Sequence, residues 1–179
     1  MRKILKLVIV VLLLLIVGYL IYNVTAGYKN SIIAEQKAQT LPNVQFISLE
    51  GASVNLQSYD KNIPLVIIYF HPGCEHCRYE ANEVGQNAAA FKNCQLVMVT
   101  ADDSLQRVKQ FCNTYHLWEV DNIEVLLDKN NLFKKNFGKA IIPSVYIYNR
   151  ERKLKKKFLG ETKPEAIIAE VPKVSKSNG

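Results

Sequence analysis

The chain has 179 residues, 49% of them hydrophobic and 22% charged, with a formal net charge of +7. That length holds one ordinary domain plus an extension, and the composition is that of a soluble domain with one apolar outlier, the N-terminus. Arg2, Lys3, Lys6 and Lys29 carry much of the positive charge in a stretch without Asp or Glu, so the excess needs no nucleic-acid partner.

From Leu7 to Tyr22 no charged residue interrupts the sequence, and Ile4 and Leu5 extend the run beyond Lys6. As a helix, Ile4 to Tyr22 reaches roughly 28 Å, close to the ~30 Å thickness of a bilayer's hydrocarbon core. Lys6 can snorkel to the headgroups, and Tyr19 and Tyr22 suit an interfacial belt. Residues 1–22 therefore read as a single transmembrane anchor. A signal peptide cleaved at Val24-Thr25-Ala26 is the competing reading, although its apolar region would be unusually long. Under either, the basic start stays in the cytoplasm and everything after Tyr22 is exported.

Residues 23–40 read as a polar tether, with helical character near Ser31–Ala38. Leu41-Pro42 opens the folded part, residues 41–171. Val44–Leu49 and Ala52–Leu56 flank Glu50-Gly51 as a short hairpin. Leu65–Phe70 is a continuous apolar run, expected of a strand covered on both faces. A turn, His71-Pro72-Gly73, leads through Cys74-Glu75-His76-Cys77 into a helix that ends near Phe91. Gln95–Thr100 is a second buried strand. Asp102-Asp103-Ser104 offers a cap to a helix carrying the apolar stripe Leu105, Val108, Phe111 and Cys112. Ile123–Leu127 is a third strand, and Asn131–Phe137 a short helix closed by Gly138. Ser144–Tyr148 and Lys153–Leu159 form a hairpin. Its basic cluster, Arg150 to Lys157, reads as a solvated surface guarding an edge strand, or else as a docking surface for an acidic partner or anionic lipid. Lys163–Glu170 is a last helix with Pro164 in its first turn, and residues 172–179 read as a disordered tail. This order implies an α/β domain: a mixed central sheet flanked by helices on both faces.

The chemistry centres on Cys74 and Cys77. They fall between the carboxyl end of a buried strand and the first turn of a helix, where free backbone N–H groups and the helix dipole stabilise a thiolate on Cys74. Cys77, one turn further in, can attack a mixed disulfide on Cys74, so the pair can exchange two electrons with a partner and release it.

The run Tyr-Phe-His-Pro-Gly-Cys-Glu-His-Cys after an apolar strand resembles the active-site segment of thioredoxin-fold proteins. More closely, it resembles the membrane-anchored TlpA/ResA-like redoxins of the AhpC/TSA-related superfamily. The resemblance extends from Pro42 to about Glu170 and includes Asp128, Phe133, Phe137-Gly138, Ile142-Pro143-Ser144 and Gly160. It implies a thioredoxin-like fold with an N-terminal β-hairpin extension, a cis bond before Pro143, and pairing of the Ile142 backbone with a substrate chain. It also implies disulfide-containing exported proteins as substrates, apocytochrome c among the candidates, a membrane-bound thiol electron donor, and no cofactor or metal. The chain departs from the family where Gly73 replaces a common tryptophan and where Ile68 replaces thioredoxin's buried acid. Proton transfer and tuning then fall to Glu75, His76, Glu80 or water. A protonated His76 favours the thiolate and an oxidising pair; Glu75 opposes it and favours a reducing one. Reductase is the preferred direction.

Other readings of the same residues are weaker. A purely structural Cys74–Cys77 disulfide closes too short a loop to gain much. Attachment of c-type haem requires histidine where Arg78 stands. Cys112 and His116, spaced as on one helix face, could complete a zinc site with the dithiol, and a Sco-like copper chaperone is a related alternative with a wider cysteine spacing. A peroxiredoxin-like peroxidase would want threonine at position 71. Cys94 and Cys112 read as buried thiols that could also pair with each other.

Overall fold

Strand Leu65–Phe70 is buried at all of its positions and runs through the middle of the sheet. The computed structural model describes residues 2–139 and 141–171; the expected tail lies outside them. In chain order the elements are α1 (Arg2–Lys37), β1 (Gln45–Ser48), β2 (Ser53–Asn55), β3 (Leu65–Phe70), α2 (Glu75–Gln86), β4 (Gln95–Thr100), α3 (Leu105–Thr114), β5 (Ile123–Leu127), α4 (Leu132–Phe137), β6 (Ser144–Tyr148), β7 (Leu154–Leu159) and α5 (Pro164–Glu170). The strands order as β2-β1-β5-β4-β3-β6-β7. β3, β4 and β5 pair in parallel, and the hairpin partners on each side are antiparallel, which makes the sheet mixed.

Alternation along the strands divides the core into two layers. Val66, Ile68, Phe70, Leu96, Met98, Val145 and Ile147 meet Cys77, Ala81 and Val84 of α2, Val108, Phe111 and Cys112 of α3, and Ile167 of α5. Leu65, Ile67, Tyr69, Val97, Val99, Tyr146 and Tyr148 face Phe133 and Phe137 of α4 on the other side. There Phe133 stacks on Tyr69 at 4.0 Å and on Phe137 at 4.3 Å between ring centroids. The Asp128 carboxylate starts α4 by accepting the Leu132 and Phe133 N–H groups at 2.7 and 3.0 Å. Ser104 Oγ caps α3 by accepting the Arg107 N–H at 3.3 Å.

Two features differ from the sequence expectations. The expected break between anchor and tether is absent: α1 is unbroken from Arg2 to Lys37. No proline interrupts residues 23–37, and the small Ala34 and Ala38 are buried against the domain, so packing extends a helix that polarity alone would end. Tyr148 Oη donates to the Ala38 carbonyl at 2.8 Å, and Lys157 reaches Glu35 at 3.4 Å. Gly138 makes this docking possible, because its φ is +90° and a Cβ there would strike Glu35 and the Ser31 carbonyl. The second difference is Arg152, which leaves the solvated cluster. It is 3% exposed, and its guanidinium donates to the carbonyls of Ile63, Tyr59 and Asp60 at 3.2, 3.0 and 2.6 Å.

Candidate active site

β3 carries the chain to Phe70, and the turn at residues 71–73 places Cys74 as the N-cap of α2, with extended backbone angles (φ −86°, ψ 127°). Its side chain makes no capping bond, and the residue stands at the helix start, where the first N–H groups lack intrahelical partners. Cys74 is half-buried and Cys77, one turn on, is 1% exposed. The Cys77 sulfur accepts the His71 N–H at 3.4 Å, and the Cys74 N–H donates to the His71 carbonyl at 2.9 Å. Burial holds the Cys77 thiol far above the usual range; the His71 N–H works against this, while the hydrogen bond and charge of Cys74 and the charge of Glu80 add to it. All four cysteines are free thiols. A half-exposed sulfur therefore stands over one that keeps its proton.

Glu80 follows Cys77 by three residues on α2, and is 1% exposed. Its carboxyl oxygens have no hydrogen-bond partner among the described residues. Burial first, and then the negative charge of Glu161, push its pKa up to about 8, against the Thr162 amide. β3, with Ile68 at the matching position, carries no buried acid, and α2 supplies one in Glu80. His76 lies exposed at the rim, its Nδ1 2.8 Å from a Glu161 carboxylate oxygen. Glu75 is also exposed, in the first turn of α2.

The Ile142–Pro143 peptide is cis. Ser144 is registered opposite Tyr69, which brings the residue before it to the end of β3 where the cysteine loop begins. The Pro143 carbonyl accepts the Gly160 N–H at 2.8 Å, tying this turn to the end of β7. Ile142 and Cys74, both half-buried, pack against the core layer that contains Cys77.

The remaining candidates stand apart. Cys94 and Cys112 are buried, and burial pushes both thiols up to about 12. Cys94 Sγ donates to the Phe91 carbonyl at 3.3 Å. Cys112 and His116 do not share a helix face, because α3 stops at Thr114 and His116 is left-handed, with φ 56°. Among the described residues, no group of three or more His, Cys, Asp or Glu side chains is gathered where it could hold a metal ion.

Several residues at the site were not legible as a set in the sequence. Asp102 appeared only as a cap, yet its side chain is fully buried and accepts from Arg107 Nε and Nη2 at 2.6 and 2.9 Å, with His71 Nε2 at 3.5 Å. Glu161 carried no signal beyond its place after Gly160.

Residues 37–157 match the AhpC/TSA family. The thiol-disulfide oxidoreductase ResA of Bacillus thuringiensis subsp. konkukian is 22% identical over 168 residues, covering 93% of this chain and 94% of that protein. The thioredoxin-like protein YneN of Bacillus subtilis is 26% identical over 145 residues, 79% of this chain and 82% of that one. In fold, the chain is similar to a secreted Mycobacterium tuberculosis disulfide oxidoreductase homologous to E. coli DsbE (TM-score 0.61, 19% identity, 76% of this chain and 96% of that one). It is also similar to StoA from Bacillus subtilis (TM-score 0.56, 17% identity, 72% and 98%). The dithiol at a helix start, the mixed sheet around it and these relatives agree: the chain belongs to the AhpC/TSA family, as a ResA-like thiol–disulfide oxidoreductase of thioredoxin fold.

Proposed function

We propose that the protein is a membrane-tethered reductase of disulfides in exported proteins. The observation that carries this reading is the asymmetry of the dithiol: Cys74 is open to a partner, while Cys77 lies beneath it, protonated and beside an unsatisfied carboxyl group. In the first step the Cys74 thiolate attacks one sulfur of the partner disulfide. That bond breaks, a mixed disulfide forms, and the partner's other sulfur leaves as a thiolate that takes up a proton. In the second step Cys77 loses its proton, with the Glu80 carboxylate as the adjacent acceptor, and attacks Cys74 Sγ. The partner leaves with two thiols, and Cys74–Cys77 becomes the disulfide. Two electrons have passed to the partner, and a membrane-bound thiol donor restores them. Pro143 and the Ile142 backbone, at the end of β3, form the edge along which the partner chain lies.

α1 supports the proposed location. Its apolar part is long enough to cross a membrane, with a mean hydropathy of 3.1 over 18 residues and none of that window buried in the protein. The basic start favours the catalytic domain on the outer side, where disulfides persist and selective reduction has a purpose. Exported proteins with exposed disulfides, apocytochrome c among them, are the substrate class.

The test is trapping. Cys77→Ser should accumulate mixed disulfides through Cys74, and Cys74→Ser should accumulate far fewer. Equal trapping by the two variants, or none by either, would defeat this mechanism.

A further inference from the structure

His71 touches the cysteine loop at three points. Its N–H donates to Cys77 Sγ at 3.4 Å, its carbonyl accepts the Cys74 N–H at 2.9 Å, and its Nδ1 accepts the Gly73 N–H at 3.0 Å. Any residue supplies the first two contacts from its main chain, whereas the third needs a side-chain acceptor. A Cβ built on Gly73 would lie 3.1 Å from both Cε1 and Nδ1 of the ring. The imidazole therefore occupies the space that a side chain at position 73 would take, directly before the nucleophile.

The ring is held from its other edge as well. Asp102 Oδ2 lies 3.5 Å from His71 Nε2. Asp102 cannot follow a moving ring, because it accepts Arg107 Nε and Nη2 at 2.6 and 2.9 Å and the Ser104 N–H at 2.8 Å. Its own N–H donates to Thr100 Oγ1 at 3.2 Å, at the end of β4. Since Nδ1 accepts from Gly73, the ring proton resides on Nε2, towards Asp102.

We infer that His71 is a positioning residue for the nucleophile: its neutral imidazole, anchored by Asp102, holds the Gly73 N–H and so fixes the loop that presents Cys74, and its imidazolium, with a proton on Nδ1, lets that loop go. The inference rests on the dithiol reading above. The charged and titratable groups around the ring are Asp102 and Asp103 before α3, Arg107 on α3, and Cys74, Cys77 and Arg78 on α2. Arg78 Nη2 donates to the Gly73 carbonyl at 3.2 Å, so the released loop keeps one attachment.

The experiment is alkylation of the reduced full-length protein in detergent with iodoacetamide, from about pH 5 to 9, alongside ¹⁵N spectra of the His71 ring. The wild-type rate should show a step that follows His71 protonation, in addition to that of Cys74 itself. His71→Asn offers an oxygen to the amide two residues on and carries no titrating group. It should stay within about threefold of wild type at the alkaline end and lose the step, while His71→Ala should be slower there by about tenfold, the equivalent of one hydrogen bond. A wild-type profile without the step, an Asn variant that keeps it, an Ala variant as fast as Asn, or a ring whose neutral form carries its proton on Nδ1 would each overturn the inference. Alkylation needs no partner protein, so an absent step with intact trapping by Cys77→Ser defeats only this inference, and a step without trapping defeats only the reductase reading.

Discussion

His76 Nδ1 lies 2.8 Å from the Glu161 carboxylate, which ties the exposed first turn of α2 to the loop after β7. The same loop brings the charge of Glu161 to bear on buried Glu80. One carboxylate thus serves both a surface contact to His76 and the electrostatics of buried Glu80.

Glu161→Gln removes that charge and should lower the Glu80 pKa from about 8. The fall should be partial, roughly half to one pH unit, because burial is the larger cause and remains. Titration of the Glu80 carboxyl by ¹³C NMR reads it directly, and the pH dependence of release from the mixed disulfide should move to lower pH in step. A Glu80 titration unmoved by Glu161→Gln would disprove the coupling.

Glu80 also makes stability depend on pH. Its folded-state pKa, about 8, exceeds the ordinary 4.5, so the folded chain holds this proton more tightly than the unfolded chain. The contribution is whole below about pH 4.5 and is lost as pH rises through about 8, where a buried carboxylate must be carried. Glu80→Gln stays neutral and should therefore be more stable than wild type at about pH 9, by several kcal/mol, on the order of 5, with the advantage shrinking towards pH 4–5. Denaturant melts of the reduced proteins across this range provide the comparison, and a gap that does not grow with pH would contradict it.

The strands and the dithiol were legible because their signals are local. Leu65–Phe70, Gln95–Thr100 and Ile123–Leu127 are apolar runs bounded by turn residues, and each is the strand that was expected. The cysteine pair is read from spacing and from what precedes it. What was not legible depends on pairings made by tertiary structure. Asp102 reads as a helix cap until the end of β4 is placed beside the turn at His71. Glu161 reads as a loop residue until β7 returns along β6 and brings it to α2. Arg152 reads as one more surface charge in a basic run, although its backbone turns into the left-handed region, φ 58°, and aims the side chain at the loop of residues 59–63. Helical character near Ser31–Ala38 was legible, but its continuity through residues 23–30 with the apolar run was not, since Ala34 and Ala38 are unremarkable until they meet the domain.

Gly138→Ala tests the docking of α1. The added methyl group must adopt a left-handed backbone and meet Glu35 and the Ser31 carbonyl. A loss of about 2 kcal/mol or more is expected from backbone and contact together. The thermal midpoint should fall, and residues 23–37 should become open to limited proteolysis in detergent. A variant as stable and as protected as wild type would show that the close approach is unimportant.

The proposed topology gives a separate outcome. Alkaline phosphatase fused after Gly179 should be active, and the protein should stay with membranes through a high-salt wash. Activity from a cytoplasmic reporter at the same position would reverse the orientation. Recovery in the soluble fraction would point to cleavage near Ala26 and leave the thiol chemistry intact.

With α1 as the proposed membrane anchor, its unbroken course into the docking site would set the dithiol at a fixed altitude. The helix has 36 residues; at ~1.5 Å per residue it is roughly 54 Å long, and about 28 Å of that suffices to cross a bilayer. With residues 4–22 in the membrane, the remaining turns form a stiff mast about 22 Å tall, lodged against the domain at Ala34 and Ala38. A flexible string would let Cys74 sweep a hemisphere. A mast would confine it to a thin layer parallel to the bilayer, explored by lateral drift and by spinning about one axis. Under the proposed anchoring, encounters with membrane-borne donors would become a two-dimensional search, and a soluble protein would be served only on bringing its disulfide down into that layer.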